Sequence, residues 1–204
     1  MTPDTDGLTR EKRTVVFFDI CSSSNVLEDL ILSENLRSMR DLILSIRAFI
    51  KKEALRQGFE VYKFIGDGWV LLFPQDASGE SLVTLLEDLC RVFQRHWTRY
   101  VLPRLQTPPD VVGITFGVDR GDLIKFRMMG QPEYIGRSLN IASRLQGAIK
   151  QDDENPAYKV LFSKPSFKAL RISSRFRPTK EVTRNLRNIQ GGAKYSCVKM
   201  NLKV

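Results

Sequence analysis

The sequence predicts an α+β fold: a ferredoxin-like βαββαβ core with a C-terminal strand-helix-hairpin extension. Three observations carry this. A β-branched and aromatic run, Val15-Val16-Phe17-Phe18, precedes a long segment of helical period. Two short apolar runs then flank Gly66-Asp67-Gly68, a tight-turn signal. A second helical segment and further strands follow in the order that the ferredoxin-like motif requires.

Each element has its own warrant. Residues 14–20 read as a buried strand. Over 35–57, Leu36, Met39, Ile43, Ile46 and Ile50 recur at intervals of three and four, which gives one apolar helix face, and Gly58 ends it. Residues 59–65 and 69–73 read as a hairpin pair. Residues 79–100 read as a second helix, with Leu82, Leu85, Leu86, Leu89, Val92 and Phe93 on one face. "TPPD" at 107–110 is a loop. Residues 111–118 and 122–129 read as another strand pair, turning at Asp119-Arg120-Gly121-Asp122. Residues 136–150 read as a third helix, followed by a polar loop at 151–156. A short strand, a short helix after Pro165 and a closing β-pair near 180–202 complete the chain. No internal repeat or linker interrupts it, so residues 1–204 are expected to form one domain, with 1–12 a flexible N-terminus.

Composition bounds the function. At 204 residues, with 42% hydrophobic and 27% charged residues, the chain is ordinary globular protein. No apolar run approaches the roughly 20 residues of a membrane span, and the polar N-terminus lacks a signal-peptide core. Cys21, Cys90 and Cys197 are odd in number and widely spaced, which fits reduced thiols and a cytoplasmic location. The net charge of +9 suggests a polyanionic partner, either nucleic acid or a nucleoside triphosphate, although solvated surface charge accounts for much of it.

Two carboxylates are singled out by position. Asp19 ends the first strand, directly after four apolar residues, and Asp67 sits in the hairpin between the second and third. Each alone reads as a turn or cap residue. The first and third strands of a ferredoxin-like sheet are neighbours, however, so both carboxylates reach one sheet edge with no evident basic partner in sequence. That makes a seat for two hard cations, with the Ile20 carbonyl as a further ligand. The turn from Cys21 through Ser22 and Ser23 to Ser24 offers backbone N–H groups at a helix start, suited to a phosphate. On the third helix, Arg137, Asn140 and Arg144 fall on one face. Such a stripe is either a solvated face or a match for a triphosphate and a ribose.

The segments "FFDICSSS", "YKFIGDG" and "YIGRSLNIASRL" resemble the three signature segments of class III nucleotidyl cyclases. The third carries Gly136, Asn140 and Arg144 at the family's Gly-x-x-x-Asn-x-x-x-Arg spacing. The resemblance spans residues 14–150 and, more weakly, the C-terminal part. It implies that Asp19 and Asp67 hold two magnesium or manganese ions. It also implies that Asn140 orients the ribose and that Arg144 stabilises charge at the reacting phosphate. In that family the aspartates and the Asn/Arg pair come from different subunits. The resemblance therefore implies a head-to-tail homodimer with sites at the interface and a nucleoside triphosphate as substrate, without nucleic acid or membrane.

Two positions read the base in that family, and here they are Lys63 and Glu133. Lys63 is adenylate-like. Glu133 departs from the usual Asp, Thr or Cys and, being longer, favours a smaller ring. The short chain is most similar to the free-standing bacterial pyrimidine cyclases of Pycsar anti-phage systems, whose cyclic UMP or cyclic CMP acts on a separate effector. A uridylate cyclase is the first expectation, with cytidylate cyclase, adenylate cyclase and a regulatory nucleotide-binding homologue kept open. Tyr134 and Trp69 add bulk nearby. Related cyclases place a Lys in a late hairpin; Arg184, Arg187 and Lys194 are candidates for the triphosphate tail, with Lys194 preferred. A diguanylate cyclase would need a Gly-Gly-(Asp/Glu)-Glu-Phe hairpin, which is absent, and His96 reads as helix surface or core edge.

Overall fold

The alternation along the first strand organises the protein around one sheet. The computed structural model describes residues 7–173 and 178–204; residues 1–6 of the stretch expected to be flexible lie outside the described residues. The elements are β1 (Thr9–Ile20), α1 (Ser23–Leu32), α2 (Leu36–Gln57), β2 (Glu60–Ile65), β3 (Gly68–Phe73), α3 (Gly79–His96), β4 (Ile114–Met128), β5 (Gln131–Ile135), α4 (Arg137–Asp152), β6 (Lys159–Ser163), α5 (Lys164–Ala169), β7 (Thr179–Arg184) and β8 (Tyr195–Asn201). The sheet order is β2-β3-β1-β4-β6-β8-β7, with β5 paired to β4. Its first four strands are in the ferredoxin-like order, and the α+β assignment from sequence holds.

Side chains on alternate residues of β1 face opposite sides. Val16, Phe18 and Ile20 join Leu42, Ile46 and Ile50 of α2 and Leu82, Leu86 and Leu89 of α3 in the main core. Val15 faces the other side, with Val70, Leu72, Leu123, Tyr134 and Ala142. That side is covered by α4, whose Ile141, Leu145 and Ile149 pack with Leu161, Leu186 and Cys197. Each fully buried Leu, Ile or Phe contributes about 1.5–3 kcal/mol relative to exposure. A Cβ on Gly117 of β4 would collide with the Ala142 carbonyl, so the glycine lets α4 lie directly on the strand.

Several local expectations change. Residues 119–122 do not turn; they continue β4. The reason is β1, which reaches back to Thr9 and pairs with β4 from Ile20↔Ile114 to Thr9↔Lys125. Asp119 is accommodated there by the hydroxyls of Ser163 and Ser166, the latter at 3.0 Å. The real turn is Met129-Gly130, both at positive φ (51° and 78°), as a two-residue hairpin requires. Residues 9–12, expected within the flexible terminus, are part of β1 and pair with Asp122 to Lys125. Lastly, the Ser-rich turn opens a separate helix, α1, which buries Val26 and Leu30. The second predicted helix ends its regular course at His96 and continues as a wide π turn over Trp97–Val101.

All three cysteines are buried and free. Among the described residues, no helix is long and apolar enough to cross a membrane.

Candidate active site

The ends of β1 and the β2–β3 hairpin bring the two singled-out carboxylates together. β1 and β3 are antiparallel neighbours, with Phe18 opposite Trp69. Gly66 and Asp67 form the two-residue turn, closed by the pairing of Ile65 with Gly68. A Cβ on Gly68 would strike the Phe18 carbonyl oxygen and lie 3.2 Å from Asp19 Oδ1. Glycine therefore lets the hairpin sit flush against the end of β1. Burial and then a hydrogen bond with Asp67 push the Asp19 carboxyl up to about 6, against the opposing pull of Lys150. Asp67 Oδ2 is buried and finds no hydrogen-bond partner.

Lys150 is the basic partner that the sequence did not reveal. Its Nζ donates to Asp19 Oδ2 at 2.6 Å and to the Ile20 carbonyl at 3.0 Å. It lies 131 residues from Asp19, on α4, and only the packing of that helix across the sheet brings it there. Among the described residues, no group of three or more His, Cys, Asp or Glu side chains converges. The carboxylate pair and one carbonyl are thus the protein's own donors at this edge.

Asn140 and Arg144 are exposed on α4, away from the apolar face that holds the helix to the sheet. No hydrogen bond or ion pair among the described residues joins either to Asp19 or Asp67. Arg144 lines a cavity of about 70 Å³ with Asn185 and Arg187. Arg137 donates to the Gln190 carbonyl at 2.8 Å, which ties the start of α4 to the loop after β7.

Lys63 and Glu133 meet. Lys63 Nζ lies 2.6 Å from Glu133 Oε2, and the Tyr62 hydroxyl donates to the same oxygen. Two consecutive residues reach one carboxylate because the ladder slips between Val61 and Lys63, a bulge that turns Tyr62 and Lys63 to the same face. The Tyr62 hydroxyl also accepts from the Tyr134 amide at 3.1 Å, and the two rings meet edge-on at 5.1 Å. Lys63 first, then Tyr62, hold Glu133 below its usual range. Tyr134 is anchored by its own hydroxyl to Glu60 at 2.8 Å. Trp69 does not belong here: it is 2% exposed and stacked on Phe18 at 5.2 Å, on the other face of the sheet. Sequence reading missed Tyr62, whose one available signal was its place beside Lys63.

The remaining candidates divide. The Cys21 amide donates to the Gly113 carbonyl at 2.9 Å and its thiol is buried, so Cys21 offers no free donor. Ser22 takes φ 58° and its hydroxyl donates to the Val111 carbonyl at 2.9 Å; Ser23 begins α1. Arg184 is held by Asp153 at 2.7 Å and Asp152 at 3.1 Å, which removes it from the triphosphate candidates. Lys194 is exposed in a 3-10 turn over Gly192–Lys194. His96 stacks on Tyr100 at 5.4 Å, apart from the carboxylates.

No protein-family profile and no curated protein matches the sequence. Solved structures do match in fold. The adenylyl cyclase CyaB from P. aeruginosa is 19% identical, with a TM-score of 0.71 over 95% of each chain. An adenylate cyclase from Trypanosoma brucei, solved in its monomeric state, is 15% identical with a TM-score of 0.65, over 93% of this chain and 89% of that one. The guanylate cyclase domain of RhGC from Catenaria anguillulae, in complex with GTP, is 15% identical with a TM-score of 0.60, over 96% and 100%. At these identities the likeness is one of fold: the chain has the fold of adenylyl and guanylyl cyclase catalytic domains.

Proposed function

We propose that the chain is a nucleotidyl cyclase. It converts a pyrimidine ribonucleoside triphosphate, UTP first, to the 3′,5′-cyclic monophosphate and pyrophosphate. The observation that carries the reading is the meeting of Asp19 and Asp67 at one sheet edge, with one buried Asp67 oxygen left without a partner. Two crowded carboxylates, one of them pushed up to about 6, form a donor set that a cation relieves. Asp19, Asp67 and the Ile20 carbonyl would hold two divalent ions, Mg²⁺ or Mn²⁺. Held there, such ions would supply Lewis acidity that eases ionisation of the ribose 3′-hydroxyl and offsets charge at the α-phosphate. The 3′ oxygen, its proton given up to solvent water, attacks the α-phosphorus; the bond to the oxygen bridging to the β-phosphate breaks, and pyrophosphate leaves with the electron pair.

The other half of the chemistry falls to Asn140 and Arg144. Asn140 hydrogen-bonds the ribose and holds its hydroxyl in line. Arg144 supplies a guanidinium for the charge that develops on the phosphate. Their exposure on α4, without contact to the chain's own aspartates, supports delivery to a second copy in a head-to-tail homodimer with two sites. Arg187, beside Arg144, and Lys194 are exposed basic groups assigned to the triphosphate tail. Ser22 and Ser23 border the phosphate seat, and Arg137 braces the helix.

The pyrimidine assignment rests on Tyr62 and Glu133. Both close on Lys63, and on this reading they narrow the base site so that a single ring is favoured. The signature segments also resemble those of pyrimidine cyclases of anti-phage systems. On that reading the product is a cytoplasmic second messenger for a separate effector with a cyclic-nucleotide-binding domain. Lys63 favours the second reading, an adenylate cyclase; a cytidylate cyclase is the neighbouring possibility within the first. Incubating the purified protein with each of the four ribonucleoside triphosphates and Mn²⁺, and resolving the cyclic products, tests this. Cyclic UMP as the dominant product is expected. Dominant cyclic AMP overturns the pyrimidine assignment, and no cyclic product from any of the four overturns the cyclase, leaving a nucleotide-binding homologue.

A further inference from the structure

We infer that Lys150 is a tethered cation that occupies part of the metal seat in the nucleotide-free chain and competes with a divalent ion for it. The inference rests on the proposed reading of Asp19, Ile20 and Asp67 as metal ligands. Lys150 Nζ donates to Asp19 Oδ2 at 2.6 Å and to the Ile20 carbonyl at 3.0 Å. These are the two β1 donors assigned to the metal ions. An ammonium bound to one oxygen of Asp19 and to the Ile20 carbonyl takes up part of each donor's capacity and repels a second cation there.

The charge balance argues the same way. Two carboxylates meet at this edge and one ammonium answers them. Asp67 Oδ2, buried and without a hydrogen-bond partner, is not reached by Lys150. The seat is therefore half neutralised: an ammonium holds Asp19, and the Asp67 oxygen still lacks a partner. A single positive charge is a poor substitute for a divalent ion between two carboxylates, because a point ammonium cannot ligate both at once.

The lysine is also built to leave. Its side chain is 32% exposed, against 23% for Asp19, and hangs from the last turns of α4 on a flexible four-carbon stem. An ion pair this open to solvent is weak, so a divalent ion displaces it at modest cost. The lysine raises the concentration of free metal needed to fill the seat without closing it. A metal that arrives with the triphosphate, and so with extra ligand oxygens, takes it over.

The test is Mn²⁺ binding without nucleotide, read from the electron paramagnetic resonance signal of free Mn²⁺. Lys150→Ala and Lys150→Gln are expected to bind Mn²⁺ roughly three- to tenfold more tightly than the natural chain, the effect of removing a weak competing ion pair. Lys150→Arg keeps a cation and is expected to stay within about twofold of the natural chain. Circular dichroism and the thermal midpoint establish that all three variants are folded. Binding by Lys150→Ala and Lys150→Gln that is unchanged or weaker, while the natural chain binds, overturns the tethered cation and leaves the metal site standing. If neither the natural chain nor these variants bind Mn²⁺, or if Asp67→Ala binds it as well as the natural chain, the metal-ligand reading itself fails, and the inference with it.

Discussion

Lys63 and Glu133, 70 residues apart in sequence, share a 2.6 Å ion pair on which the Tyr62 hydroxyl also converges. A site built from paired polar groups discriminates steeply, because the wrong partner leaves them unsatisfied. Glu133→Gln removes the charge that orients Lys63, and Tyr62→Phe removes the second donor while keeping the ring. Glu133→Gln is expected to change the ratio of kcat/KM between uridine and adenine triphosphates by roughly tenfold or more, and Tyr62→Phe by less. Steady-state kinetics on all four triphosphates measures both. Equal losses on every triphosphate would mean that this cluster supports the fold and does not read the base.

Asp67 sets two opposed expectations. Asp67→Asn keeps the shape of the turn and removes the carboxylate whose buried Oδ2 has no hydrogen-bond partner. Turnover should fall by about three orders of magnitude, as for removal of a metal ligand in a site of this kind. Stability without metal should rise by about 1 kcal/mol, since Asp19 no longer faces a second carboxylate and no carboxylate oxygen is left buried without a partner. Urea unfolding in a chelator reads the second effect. Lower stability together with lower turnover would count against a functional carboxylate and for a structural one.

The same pair predicts a pH dependence. The Asp19 carboxyl is pushed up to about 6, by burial first and then by Asp67, above its ordinary value of 3.8. The folded chain therefore keeps a proton that the unfolded chain releases. The associated stability is fully present below about pH 4 and is lost as pH rises through about 6. With chelator present, unfolding free energy should fall across that window by about 2 kcal/mol, the scale of a two-unit displacement less solvent screening. Asp67→Asn should flatten the slope. A slope unaltered by Asp19→Asn would assign the effect to other groups, whereas one unaltered by Asp67→Asn alone would leave burial as the cause.

Much of the fold was legible because its signals are local. The β1 run, the α2 periodicity and the Gly66-Asp67-Gly68 turn each specify an element from its own residues. The meeting of Asp19 and Asp67 was legible too, because strand order follows from the motif. What sequence could not show is set by distant partners. Residues 119–122 carry turn chemistry, yet they extend β4 because β1 supplies a ladder along their whole length. Lys150 looks like any helix lysine until α4 lies on the sheet. Tyr62 reaches Glu133 only through a bulge, which no periodicity announces. Trp69, bulky and adjacent to the hairpin, belongs to the core because strand alternation turns it to the other face.

Asp153 should be a stability residue without a catalytic part. Its side chain is 3% exposed and is met by Lys159 at 2.9 Å, Lys199 at 2.8 Å and Arg184 at 2.7 Å. Burial raises its carboxyl, but the hydrogen bonds of Lys199 and Lys159 outweigh that and hold it below its usual range. The clamp fastens the end of α4 to β6, β7 and β8. Asp153→Asn leaves three cations around a neutral amide and should cost about 3–5 kcal/mol, read from the urea midpoint. In the natural chain this contribution persists above about pH 4 and is lost only as pH falls through the lowered value. A loss under about 1 kcal/mol would show that solvent screens the cluster.

The proposed division of labour between copies makes a quantitative prediction. Asp67→Ala removes a metal ligand and Arg144→Ala a phosphate ligand, and each homodimer should be inactive. If the aspartates of one copy work with the Asn140 and Arg144 of its partner, a mixed dimer has one site with both lesions and one with neither. Random exchange makes about half of the dimers mixed, each with one intact site of two, so an equimolar mixture should recover about a quarter of the natural activity. Dilution should abolish the recovery as dimers dissociate. A mixture as inactive as its components, with exchange demonstrated by a size-tagged copy, would place all four residues in a site within one chain. That outcome would require Asn140 and Arg144 to reach the carboxylates from the exposed face of α4 on which they stand.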